Sequence, residues 1–172
     1  MTTNIKPSKL KLKCPNCNSE LLYIVPYELD KEIYDKIVHK DGLLFFAIQY
    51  VLDDNNYSYS ANQTYLKDIE LDFCLQSDNG NIIEIVEVKM FKTDRPADTQ
   101  IGNIRDAVVQ IKKSVDKLVE IDLGFKTIQH SLVTNISSES VYKQAKIELD
   151  KDMKDYNIKL YTMNDYYIKL KG

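Results

Sequence analysis

Ile69-Glu70-Leu71-Asp72-Phe73-Cys74-Leu75 and, beyond Gln76 and a Ser77-Asp78-Asn79-Gly80-Asn81 turn, Ile82-Ile83-Glu84-Ile85-Val86-Glu87-Val88-Lys89-Met90 decide how this chain folds. The first stretch sets Ile69, Leu71, Phe73 and Leu75 against Glu70, Asp72 and Cys74, the period of two expected of a strand with one apolar face. Asn79-Gly80 is a strong short-range turn signal, because both residues tolerate positive φ. The second stretch is rich in β-branched residues and apolar on both faces, which suits a central strand of a covered sheet. The two stretches predict a β-hairpin.

On either side of the hairpin the period changes to that of helices. Ile33, Ile37, Leu44 and Ile48 recur at helical spacing over residues 28–40 and 43–52, with Gly42 as the break between them. Residues 53–62, rich in Asn and Ser, read as a loop. Downstream, residues 93–102 hold Arg95-Pro96 and read as a loop. Ile104, Val108, Ile111, Val115 and Leu118 then mark a helix over residues 103–118. Residues 127–135 read as a strand, 138–156 as a helix, 158–162 as a short strand and 164–170 as a closing helix. Strands interleaved with helices in this order indicate an α/β layered fold with a mixed sheet. A length of 172 residues suits one domain, and 44% hydrophobic residues suffice for a core and exclude wholesale disorder. The expected division is a basic tail with a Cys-x-x-Cys knuckle over residues 1–26, then one domain over residues 27–172.

The chemistry-bearing residues sit on the hairpin. Glu87 and Lys89 are separated by one residue and share a strand face with Ile83 and Ile85. Asp72 lies on the partner strand. Two acids and a lysine beside an apolar face are costly to bury without a partner, and a cation shared by Asp72 and Glu87 removes that cost. A hard cation takes oxygen ligands and retains water, so two carboxylates leave positions open for a phosphate oxygen and a water. Such a cation polarises phosphate and lowers the pKa of its water. Lys89 is placed to orient the nucleophile or offset developing charge, and the Val88 backbone carbonyl is a candidate further ligand.

Asp72, then Glu87-Val88-Lys89, resembles the bipartite motif of the PD-(D/E)XK nuclease superfamily, with Leu71 where that motif often has proline. Val133-Thr134-Asn135, the Ser-rich start and Ala-containing helix after it, and Ile158-Lys159-Leu160-Tyr161 resemble the C-terminal half of Mrr-like restriction endonuclease and Holliday-junction-resolvase-like domains. The resemblance covers residues 28–170. It implies a restriction-endonuclease-like three-layer core, with a mixed central sheet flanked by helices. It also implies cleavage of DNA phosphodiester bonds dependent on Mg²⁺ or Mn²⁺, in a restriction, repair or defence setting. Related nucleases often carry a Gln on the following helix, which points to Gln110 as a catalytic residue. A Glu on the first core helix is also frequent in the family; here Gln49 occupies the matching region, as a residue at the edge of the site. Lys92, Arg95, Arg105 and Lys113 are the candidate DNA contacts. Glu70 is a candidate outer acid, and Glu84 falls on the opposite strand face. A homodimer suits cutting of two antiparallel strands, and a larger restriction or defence complex is a further candidate partner.

Cys14-Pro15-Asn16-Cys17 resembles one knuckle of a zinc ribbon. A closed Zn²⁺ site needs four ligands, and Cys74, His39 and His130 lack the spacing to complete it. The pair is then a half-site completed by another chain, or a knuckle that keeps only its turn. Cys74 reads as a small buried hydrophobe. The net charge of −3 excludes a protein that coats nucleic acid by bulk charge, although Lys6, Lys9, Lys11 and Lys13, and Lys89 through Lys113, form local basic clusters. No apolar run reaches the ~20 residues of a membrane span. The basic, polar start lacks an apolar signal core, so a cytoplasmic location is expected. Two other readings compete with the nuclease: a binding module on the same fold that lacks catalysis or depends on a partner, and a zinc-ribbon accessory protein whose hairpin charges are surface.

Overall fold

The computed structural model describes residues 41–65, 69–119 and 128–171. Its elements are α1 (Gly42–Asp54), β1 (Tyr59–Tyr65), β2 (Ile69–Gln76), β3 (Ile82–Lys89), α2 (Ala97–Val119), β4 (Gln129–Thr134), α3 (Glu139–Glu148), α4 (Asp150–Asp155), β5 (Ile158–Thr162) and α5 (Met163–Lys171). Cys14, Cys17, His39, the expected helix over residues 28–40 and the boundary at residue 26 lie outside the described residues.

The strands form one five-stranded sheet in chain order. β1, β2 and β3 pair antiparallel. β3, β4 and β5 pair parallel, so each of these connections needs a crossover, which α2 and then α3 with α4 supply. The α/β class and the mixed sheet expected from the pattern are both present. Helices cover both faces. Ile101, Ile104, Val108, Ile111 and Val115 of α2 pack with Val141 and Ala145 of α3, Met153 of α4, and Leu132, Ile158 and Leu160 of the sheet. On the other face, Leu44, Ile48, Val51 and Leu52 of α1 and Tyr166 and Leu170 of α5 meet Phe73, Leu75, Val86, Val88 and Val133.

The hairpin closes as its turn residues require. Gly80 adopts φ 77°, and its N–H donates to the Ser77 carbonyl at 2.8 Å. Glycine takes that backbone conformation without a Cβ penalty. Three details differ from the expectations. The stretch taken as a loop over residues 53–62 contains most of β1, a polar edge strand held to β2 by main-chain pairing from Tyr59↔Leu75 to Tyr65↔Ile69. Its side chains carry little apolar signal because an edge strand buries little of itself. Helix α2 starts at Ala97, inside the expected 93–102 loop. Its early start is sealed by buried Gln100, whose Nε2 donates to the Thr93 and Arg95 carbonyls at 3.2 and 2.7 Å. The single helix expected over residues 138–156 is two, because Leu149 at φ −104°, ψ 6° leaves helical geometry.

Glu84 explains how α5 is fastened to the sheet. It is only 7% exposed, yet the Lys169 ammonium lies 2.5 Å from its carboxylate. Ser131 and Gln129 also donate to it. Lys169 stands over the Tyr161 and Tyr166 rings at 5.4 and 5.0 Å. Burial and the neighbouring Glu84 charge push the Tyr166 hydroxyl far above the ordinary tyrosine range. As expected, this acid is on the face away from Glu87.

Candidate functional site

Asp72 stands where the β2–β3 ladder ends. The β2–β3 register reaches Phe73↔Val86, and one further step sets Asp72 across from Glu87. Like charges facing each other across a ladder repel. Here the Asp72 Oδ2 accepts a hydrogen bond of 2.7 Å from the Val88 N–H. Strict apolar alternation also fails at this residue. Phe73 and Leu75 pack toward α1 and α5, whereas Ile69 and Leu71 join Cys74, Ile85 and Leu118 under α2. On the other neighbour, Ala61↔Phe73 and Gln63↔Leu71 place Asn62 opposite Asp72, and Asn62 has φ 50°. Asp72 shares the face of Cys74 and Glu87 through ordinary cross-strand pairing, and the left-handed Asn62 sits where the alternation of β2 breaks. Ile83, expected to line the same face as Glu87, is 51% exposed; it is the extra residue of a β-bulge, since Leu75 pairs with Glu84 and Gln76 with Ile82.

Asp72, Glu87, Lys89, Gln110 and Lys113 line one cleft of about 340 Å³, together with Ile69, Glu70, Ser114 and Lys117. The three hairpin residues and two of the three α2 residues singled out from the sequence, Gln110 and Lys113, are therefore brought together, and Glu70 joins them at the rim. Lys89 and Gln110 also line a second cleft of about 490 Å³ that includes Lys92 and Arg95. Cationic side chains thus flank the acids on both sides. Arg105 lines neither cleft; its guanidinium donates to Glu148 of α3 at 2.8 Å. Gln49 also lines neither, and lies against the Tyr59 hydroxyl. Val88 contributes its amide to Asp72, and its side chain is buried in the opposite core. Cys74 is fully buried, and burial pushes its thiol up to about 11, as befits an inert core residue. His130 is buried, and its main-chain N–H donates to the Asn157 carbonyl.

The electrostatics of the cleft follow from crowding. Burial, and then the Asp72 charge, raise Glu87 from 4.5 to about 7, with Lys89 opposing. Burial also raises Asp72, against the Val88 N–H and Lys89, which lower it. Lys89 is lowered by burial but raised overall by the Glu87 carboxylate at 3.0 Å, with Asp72 and Asp41 adding to the effect. Asp41, immediately before α1, acts on all three of these groups. It was not legible in the sequence, since only the fold brings residue 41 beside residues 72–89. Ser114 and Lys117 were also missed, although they follow Gln110 at the helical spacing of four and seven residues that puts them on one face.

Among the described residues, no three or more His, Cys, Asp or Glu side chains form a metal cage. The donor set is two carboxylates in a cleft with open room. A hard, partly hydrated cation accepts such a set, and a cation would offset the cost of burying both acids that raises them. Among the described residues, no helix is long and apolar enough to cross a membrane. No protein-family model matches the chain, and neither curated proteins nor solved structures yield a match.

Proposed function

We propose that this chain is a divalent-metal-dependent nuclease that hydrolyses phosphodiester bonds in DNA, with a restriction-endonuclease-like core. The observation that carries this reading is the meeting of Asp72, Glu87 and Lys89 at one cleft, where burial raises the proton affinity of both acids and the Asp72 charge raises that of Glu87 further. Asp72 and Glu87 are the residues that would hold Mg²⁺ or Mn²⁺. When bound, such a cation supplies charge stabilisation at the phosphate and a water of lowered pKa. Lys89 places a cation beside Glu87, at the point where a transferring phosphate gains negative charge. Gln110, shared by both clefts, is positioned to hold a substrate oxygen or a water. Lys113 and Lys117 on one side, and Lys92 and Arg95 on the other, suit phosphates that flank the scissile one. The Cys14–Cys17 pair as a Zn²⁺ knuckle, a homodimer, and a place in a larger restriction or defence complex belong to the same proposal.

A second reading, a nucleic-acid-binding module without catalysis, is favoured by one observation. Glu87 is already ion-paired to Lys89, which neutralises part of the site. The deciding experiment is cleavage of supercoiled, linear and branched DNA by the purified chain with Mg²⁺ or Mn²⁺, beside Asp72→Ala and Lys89→Ala. Metal-dependent cutting that both variants lose, with their circular dichroism unchanged, is expected. DNA binding without cutting by the wild type moves the assignment to the second reading.

A further inference from the structure

Lys89 is the last residue of β3, paired with Thr134, and beyond it the main-chain ladder stops. The next two residues are nevertheless held from both sides. The Met90 N–H donates to the Asp41 Oδ1 at 2.6 Å. The Phe91 N–H donates to the Asn135 Oδ1 at 2.7 Å, and the Asn135 Nδ2 donates to the Phe91 carbonyl at 2.9 Å. Asn135 follows β4 directly, so its side-chain amide continues the β3–β4 ladder where the backbone of β4 has turned away.

The use made of Asp41 is unusual. Aspartate before a helix ordinarily accepts from that helix's own first amides. Asp41 occupies the N-cap position of α1 and makes no such bond. It also adopts φ 57°, a left-handed conformation that non-glycine residues hold at a cost. Its carboxylate reaches instead across 49 residues to the strand that carries Lys89. A capping bond forgone and a costly backbone conformation both serve one contact beside the cleft.

We propose that Asp41 and Asn135 form a two-sided clamp on Met90-Phe91 that positions Lys89 over the cleft. The clamp rests on the nuclease reading for its catalytic consequence but not for its existence. The two residues are positioning residues; they act through the backbone that follows Lys89. Because the clamp uses acceptor atoms, an amide at position 41 can hold the Met90 N–H as a carboxylate does.

The test compares Asp41→Asn, Asp41→Gly and Asn135→Ala with the wild type. Asparagine keeps an Oδ1 acceptor and tolerates positive φ, and glycine removes the acceptor without backbone strain. Two readouts are taken on the full chain: amide hydrogen exchange at Met90 and Phe91, and Mg²⁺-dependent DNA cleavage split into kcat and KM. Asp41→Gly is expected to speed Met90 exchange, and to lower kcat by about tenfold to a hundredfold with little change in KM. Asn135→Ala does the same through Phe91. Asp41→Asn keeps slow Met90 exchange and loses less kcat than Asp41→Gly; the part it does lose reports the Asp41 charge on Asp72, Glu87 and Lys89. If Asp41→Asn loses as much kcat as Asp41→Gly, the charge and not the bond matters, and the clamp is overturned as the reason. Rapid exchange of Met90 and Phe91 in the wild type overturns the clamp itself, whatever the activity. Slow exchange in a wild type that cuts no DNA removes the nuclease reading, and with it the catalytic consequence, while the backbone clamp stands.

Discussion

Replacing Glu87 by glutamine is expected to make the metal-free protein more stable above neutral pH while abolishing the proposed metal-dependent cleavage. Glu87 rises from 4.5 to about 7 on folding, chiefly through burial and then the Asp72 charge. The folded state therefore holds a proton that the unfolded state releases. The resulting stability is fully present below about pH 4.5, declines as pH rises, and is lost above about pH 7. At 1.36 kcal/mol per pH unit, the loss is about 3 kcal/mol. Glu87→Gln removes the buried charge but also the ion pair with Lys89, which then turns to Asp72. A net gain of about 2 kcal/mol at pH 8 in EDTA follows, or roughly 4–8 °C in Tm for a chain of this size. At pH 5 the gap narrows, because native Glu87 is then protonated. Thermal melts at both pH values, with and without Mg²⁺, measure all of this. Added Mg²⁺ raises the wild-type Tm by mass action and leaves the variant unmoved. A variant less stable than the wild type at pH 8, or a gap equal at pH 5 and pH 8, refutes the reasoning. Glu87 would then be a structural partner of Lys89.

Three further outcomes are expected. Lys113→Glu with Lys117→Glu weakens DNA binding and lowers the slope of log K against log salt by about 2, read by titration over a salt series; the folded stability stays within about 0.5 kcal/mol, since both side chains are exposed. Lys169→Met leaves Glu84 buried beside Ser131 and Gln129 without its cation, and costs about 3 kcal/mol in a urea melt. Gly80→Ala, in the hairpin turn at φ 77°, costs about 1 kcal/mol and leaves cleavage unaltered, because the turn lies at the opposite end of β3 from Lys89.

Much of the fold was legible because it rests on local pattern. The turn at residues 77–81 and the β-branched run of β3 place the hairpin. The helical spacing from Ile104 to Leu118 places most of α2, and the spacing of strands and helices gives the mixed α/β class. Asp72, Glu87 and Lys89 could be named together for the same reason: a hairpin is a local structure, and its register pairs residues about fifteen apart. What the chain pattern could not reveal depends on neighbours distant in sequence. β1 is defined by main-chain pairing to β2, and its polar side chains carry no strand signal. The apolar residues of β2 change face between Leu71 and Phe73, against the alternation that the side chains advertise. Arg105 looks like a free cation until α3 brings Glu148 beside it. Alternation puts Glu84 on the face away from Glu87, but its cation arrives only when α5 folds Lys169 over it.

Sequence alone determined the hairpin, the class of fold and which charged residues share its end, because those follow from the periods of two and 3.6 and from turn chemistry. Tertiary structure alone decided that these charges are half-buried and crowded, that Asp41 and Asn135 grip the backbone beyond Lys89, and which of the basic residues face the cleft. Burial and long-range hydrogen bonds are properties of packed neighbours, and no local pattern of residues encodes which neighbours arrive.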